Sequence, residues 1–109
     1  MRMSEGSRRP RLLRGQLVDG AGFKAQGWVR VEGGRISGLG EGDPPPALRR
    51  AAGEVLGGPE MIVAPGFCDL QVNGLEGLDA ADGAEAIAGI AARLPAHGVT
   101  AFCPTVISA

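Results

Sequence analysis

The sequence predicts an α/β chain in two parts: a small β module, then a single β-α-β unit. Three observations carry this reading. Short β-patterned runs punctuated by glycine fill the early part of the chain; strand, helix and strand patterns follow one another after Pro65; and the first of those later strands alternates polar with apolar side chains. Two strands joined through a helix imply a parallel pair with a right-handed crossover.

Leu12 to Val18, Gly27 to Val31 and Arg35 to Leu39 read as strands, the last two joined by Glu32-Gly33-Gly34 as a hairpin turn. Gly38-Leu39-Gly40-Glu41-Gly42 superficially resembles a phosphate loop, but Pro44, Pro45 and Pro46 follow where a helix is needed, so it reads as a turn. Residues 47–54 suit a brief helical turn or an irregular connection, within a longer connection over 41–60, before a strand enters around Met61 to Ala64. Phe67 to Val72 forms the next strand. Asp82 with Glu85 three residues on has the pattern of a capping box. Ile87, Ile90, Ala91 and Leu94 then recur at helical spacing, giving one buried stripe in a helix through His97, kinked or frayed at Pro95 and closed by Gly98. Val99 to Ile107 reads as the partner strand, interrupted at Pro104, which has no N–H to give to a ladder.

Composition narrows the function classes. The net charge of −1 gives no general attraction to nucleic acid or to an anionic membrane. Charge is nonetheless unevenly placed: residues 1–50 hold ten of the 11 basic residues, and residues 51–109 hold seven of the 12 acidic ones, as if the halves belonged to different modules. Arg2, Arg8, Arg9, Arg11 and Arg14 read as a solvated, frayed N-terminus. No apolar core of a signal peptide follows them, and no run approaches the roughly 18 apolar residues of a membrane span, so the cytoplasm is the expected compartment. In that compartment Cys68 and Cys103 read as buried small hydrophobes in preference to a disulfide or metal pair. With 19 glycines and four aromatic residues, the chain has little large apolar surface to bury and is expected to be marginal alone.

The chemistry concentrates in Ala64-Pro65-Gly66-Phe67-Cys68-Asp69-Leu70-Gln71-Val72-Asn73-Gly74. Strand alternation sets Asp69, Gln71 and Asn73 on one face, with Gln71 and Asn73 at the C-terminal end, where parallel-sheet enzymes gather their reactive groups. An ordinary half-buried strand with its polar face in water gives the same pattern.

A β module followed by Ala-Pro-Gly-Phe-x-Asp-Leu resembles the opening of the amidohydrolase superfamily. Where that superfamily commonly has His-x-His, two metal ligands on the first barrel strand, this chain has Gln71-Val72-Asn73. Gln-x-Asn-Gly after Pro-Gly-Phe-x-Asp, together with His97-Gly98-Val99-Thr100-Ala101-Phe102-x-Pro104-Thr105, is similar to the N-acetylglucosamine-6-phosphate deacetylase family. The resemblance covers residues 12–109 and is strongest over 64–74 and 97–105.

The resemblance implies a flexible N-terminus over 1–11, a portion of a β-sandwich with its connecting loop over 12–63, and, over 64–109, the first β-α-β unit of an incomplete TIM-type (β/α)8 barrel. A whole barrel needs roughly 250 residues. It also implies hydrolysis of N-acetylglucosamine 6-phosphate to glucosamine 6-phosphate and acetate, with a divalent metal, zinc, in the full-length enzyme. The metal ligands, the proton-shuttling carboxylate and the sugar-phosphate contacts of that enzyme are not in this chain. The resemblance therefore places no catalytic or metal-ligating residue within this chain, and the isolated chain is expected to be inactive. Side-chain amides are poor zinc ligands and good hydrogen-bond partners. Gln71 and Asn73 accordingly orient substrate or water near the metal position that the missing His-x-His leaves vacant, or else only brace the barrel mouth.

Asp69 reads as structural, His97 as a cap or surface residue, and Thr105 as a packing or turn residue at the mouth of the second strand. Leu75 and Glu76 depart from the glycine-rich loop usual in the family. The expected partners are a small amino-sugar phosphate and further copies of the full-length protein, with no nucleic acid and no membrane. Two alternatives stay open: another amidohydrolase with a different amide substrate, or a non-catalytic truncated scaffold or interaction module.

Overall fold

A computed structural model describes residues 9–108. The chain divides into two compact units, the first ending at Pro65 and the second beginning at Gly66. The expectation of a flexible N-terminus over 1–11 falls mostly outside the described residues; Arg11, its last member, already opens a strand.

The first unit is built on one four-stranded sheet. β1 (Arg11–Asp19) pairs antiparallel with β2 (Gly22–Glu32), which pairs antiparallel with β3 (Arg35–Glu41); β4 (Glu54–Val63) lies on the other side of β1 and runs parallel to it, giving the order β3-β2-β1-β4. The β1–β2 turn is fixed by Asp19, whose Oδ1 accepts the Ala21 N–H at 2.8 Å. At the β2–β3 turn Gly33 and Gly34 both have positive φ, 59° and 74°, the pair of conformations that a two-residue hairpin matched to strand twist requires.

Two expectations need correction in this unit. Gly38 to Glu41 is not a turn but the second half of β3. Gly40 pairs with Trp28, and a Cβ there would stand 2.8 Å from the indole ring, so the glycine is the hollow that receives the only tryptophan. Nor is 41–60 all connection: α1 (Pro46–Ala51) is a short exposed helix, and β4 begins at Glu54, seven residues before the expected strand. Gly57-Gly58-Pro59 looks like a loop in sequence, yet it is an excursion within β4, whose pairing with β1 passes from Arg14↔Gly57 to Gln16↔Ile62. The Gln26 side chain holds that excursion by donating from Nε2 to the Pro59 carbonyl at 2.8 Å.

The second unit has β5 (Phe67–Val72) and β8 (Val99–Pro104) as a parallel pair. Between them come a miniature hairpin of β6 (Gly74–Leu75) and β7 (Leu78–Asp79), a 3-10 turn at Ala80–Asp82, and α2 (Ala84–Arg93), followed by a second 3-10 turn at Leu94–His97. Pro95 converts the last helical turn to 3-10 geometry, and Gly98, at φ 78°, closes it. The start differs from the capping-box expectation. Asp82 lies inside the first 3-10 turn, Gly83 precedes α2 without a side-chain cap, and the capping carboxylate is Asp79, which accepts the Ala81 N–H at 2.8 Å.

The core of this unit consists of Val72, Ala80, Ile90, Leu94 and Val99, with Leu75, Leu78, Ile87 and Phe102 packed around it. Ile90 is wholly buried, and Leu94 sits one turn on, as the apolar stripe requires. Ala91, expected in that stripe, is exposed. Phe67 and Leu70 of β5 are also exposed, at 70% and 73%, because α2 covers only part of the pair.

Candidate functional site

The C-terminal end of β5 is shaped by a bulge. Its pairing with β8 runs from Asp69↔Phe102 to Val72↔Pro104, three steps on one strand against two on the other. Asp69 stabilises the extra residue: its Oδ1 accepts the Gln71 N–H at 3.1 Å. The carboxylate therefore does local backbone work, in agreement with a structural role. Simple alternation, which sets Asp69, Gln71 and Asn73 on one face, holds only as far as this bulge. Gln71 is exposed, and its carboxamide takes no hydrogen bond among the described residues.

Asn73 is held from three sides. Its own carbonyl accepts the Ala80 N–H at 2.7 Å, and the carbonyl of the preceding Val72 accepts the Thr105 N–H at 3.0 Å. Its side-chain Oδ1 accepts a hydrogen bond from the Thr105 hydroxyl, in a partly buried position. The first of these bonds closes the base of the β6–β7 hairpin. Glu76 and Gly77 turn that hairpin with positive φ at both residues, 52° and 82°, and Glu76 also pairs with Arg93 of α2 at 3.0 Å. Leu75 and Glu76 thus belong to a compact hairpin paired with the helix through Glu76.

Gln71, Asn73 and Thr105 stand together at the C-terminal ends of two parallel strands, which is where α/β enzymes bind their ligands. Sequence reasoning singled out both segments but gave Thr105 a packing or turn role; only the structure joins it to Asn73, 32 residues away. The set offers amides and one hydroxyl. Among the described residues no three His, Cys, Asp or Glu side chains come together as a metal shell. Amides and a hydroxyl are poor zinc donors beside imidazole and thiolate, and Asn73 Oδ1 already accepts a bond from Thr105, so these residues do not fit a zinc ion.

The remaining candidates lie apart from this cluster. His97 is exposed at the end of its 3-10 turn. Cys68 and Cys103 are free thiols and both are exposed, not buried as expected, because the core around Ile90 takes Val72 and Val99 from the strands and neither cysteine. In the first unit a cleft of about 230 Å³ lies between Arg14, Gln26, Asp43 and Pro59. Arg14 and Asp43 pair there at 2.5 Å, so its charges neutralise one another.

Comparison with known proteins bears on the whole chain. No protein-family model matches it. Over 105 residues it is 40% identical to N-acetylglucosamine-6-phosphate deacetylase of Bos taurus and 39% identical to that of Homo sapiens, an alignment covering 90% of this chain. A solved structure of a mutant N-acetyl-D-glucosamine-6-phosphate deacetylase from Mycobacterium smegmatis, in complex with N-acetyl-D-glucosamine-6-phosphate, matches 92% of the chain with a TM-score of 0.70 and 27% identity. The chain resembles N-acetylglucosamine-6-phosphate deacetylases in sequence and fold. It spans 23% of the length of the bovine deacetylase and 25% of the mycobacterial one. No helix among the described residues is long and apolar enough to cross a membrane.

Proposed function

We propose that this chain forms part of a metal-dependent amide hydrolase that converts N-acetylglucosamine 6-phosphate and water to glucosamine 6-phosphate and acetate. The observation that carries the reading is the likeness to deacetylases over 90% of the chain, with Gln71-x-Asn73 at a parallel-strand mouth. In this reading the first unit contributes to a β-sandwich, and β5, α2 and β8 are the first β-α-β unit of a (β/α)8 barrel. Gln71, exposed and unbonded, contacts substrate or water; Asn73 is braced and contacts ligand only through what Thr105 leaves free. The divalent ion of such a hydrolase, zinc by this reading, takes its ligands from outside residues 9–108. The protein is read as cytoplasmic, with the full-length enzyme free to form homo-oligomers.

A graft tests this directly. Residues 12–108 replace the aligned segment of the bovine deacetylase, and acetate release from N-acetylglucosamine 6-phosphate is measured beside release from other N-acylated substrates. The folded graft is expected to keep deacetylating the sugar phosphate, whereas the 109-residue chain alone is expected to release no acetate. A graft that folds and assembles but releases no acetate refutes the reading, and activity on a different amide alone favours another amidohydrolase.

A further inference from the structure

The Asn73–Thr105 bond carries a consequence for what the strand mouth can recognise. A carboxamide has two unlike ends: Oδ1 accepts hydrogen bonds and can ligate a cation, while Nδ2 only donates. At Asn73 the oxygen end faces the Thr105 hydroxyl, and the backbone around it is tied on both sides, by Ala80 N–H to the Asn73 carbonyl and by Thr105 N–H to the Val72 carbonyl. The amide is thus held at its base and by one lone pair of its oxygen, and the end without a partner among the described residues is Nδ2.

We propose that Thr105 is a positioning residue that fixes the Asn73 carboxamide with Oδ1 toward β8 and Nδ2 toward the mouth, so that the mouth presents a hydrogen-bond donor to an oxygen acceptor of the ligand. The donor is matched to a carbonyl, hydroxyl or phosphoryl oxygen. Its assignment to the amino-sugar phosphate rests on the hydrolase reading above, whereas the polarity of Asn73 does not. Thr105 is suited to the task because it belongs to the parallel partner strand's end. Its hydroxyl reaches Asn73 while its own N–H is used by Val72, so side chain and backbone bind the last residue of β5 and the one after it.

The test has two arms. In the full 109-residue chain, the Asn73 13Cγ resonance and side-chain 15N–1H2 pair are compared in the native protein, Thr105→Ser and Thr105→Val. The native protein and Thr105→Ser are expected to share a deshielded 13Cγ, as for an amide oxygen that accepts a bond, and Thr105→Val is expected to lose that shift while the Val72 and Val99 amide resonances stay in place. In the bovine graft, Thr105→Val is expected to lower kcat/KM for N-acetylglucosamine 6-phosphate by about three- to tenfold, with Thr105→Ser within about twofold of the native graft.

Unchanged Asn73 signals in Thr105→Val, or Thr105→Ser behaving like Thr105→Val, overturn the proposal. Should the unmutated graft release no acetate, the hydrolase reading fails, and the carboxamide resonances still decide the polarity of Asn73.

Discussion

Gly66→Ala is expected to destabilise the second unit through one contact. A Cβ at residue 66 would lie 2.2 Å from both Thr100 Cγ2 and Thr100 Oγ1, and 2.7 Å from Thr100 Cβ. Carbon atoms pack at about 3.5–4.0 Å, so the overlap exceeds 1 Å at the branch atoms. Rotation of Thr100 moves those branch atoms away. It does not move Thr100 Cβ, which the β8 backbone fixes, so relief requires the start of β5 to shift from β8, where the Phe67 N–H donates to the Gly98 carbonyl at 2.8 Å. Overpacking of this kind costs about 1–3 kcal/mol. With a urea slope of about 1–3 kcal/mol per molar, the midpoint falls by on the order of 1 M.

The assay is a urea titration followed through the Val72 and Val99 amide resonances, both from the core of this unit. A double-mutant cycle isolates the contact. In a Thr100→Gly background, which removes the three atoms nearest the new methyl, Gly66→Ala is expected to cost about a third or less of its effect in the native background; Thr100→Ala, which keeps Cβ, restores only part. An equal cost of Gly66→Ala in the native and Thr100→Gly backgrounds would refute the steric account of the Pro-Gly-Phe motif.

Four other outcomes are expected. Ile90→Ala, at a wholly buried position in the core, is expected to lose about 2–5 kcal/mol, measured by the same titration. Gly40→Val is expected to displace the Trp28 ring from its hollow and red-shift its fluorescence, while Gly58→Ala, where no atom lies within 4 Å of the new methyl, leaves the emission maximum in place. Asp69→Ala removes the acceptor of the Gln71 N–H and is expected to speed hydrogen exchange at that amide by about fivefold or more, from loss of a bond worth about 1 kcal/mol; Arg11→Ala, which breaks an exposed pair with Glu54, is expected to change stability by under about 0.5 kcal/mol.

Much of the fold is legible in the residues because it rests on local rules. Gly33-Gly34 can be read as a hairpin because positive φ at both positions suits little else, and Pro95 and Gly98 mark the end of α2 by what each backbone can do. Ile87, Ile90 and Leu94 announce a helix face by spacing alone. Where the reading failed, the deciding partner was distant in sequence. Gly38-Leu39-Gly40 has the composition of a turn and becomes a strand because Trp28 needs a flat, side-chain-free surface. Gly57-Gly58-Pro59 has the composition of a loop and becomes an excursion in β4 because β1 offers pairing on both sides of it. Asp82-x-x-Glu85 has a capping pattern that the 3-10 turn before it takes over, and Cys68 and Cys103 have the character of core residues but find no core over them.

For the candidate site the division is similar. The sequence by itself determined that two carboxamides stand at the end of a strand, because their identity and their order along the chain are covalent facts. Only the tertiary structure decided their difference: the bulge against β8 leaves the Gln71 side chain exposed, and Thr105, 32 residues beyond Asn73, turns the Asn73 oxygen toward the protein. A hydrogen bond has direction, and that direction is set by atoms that folding alone brings together.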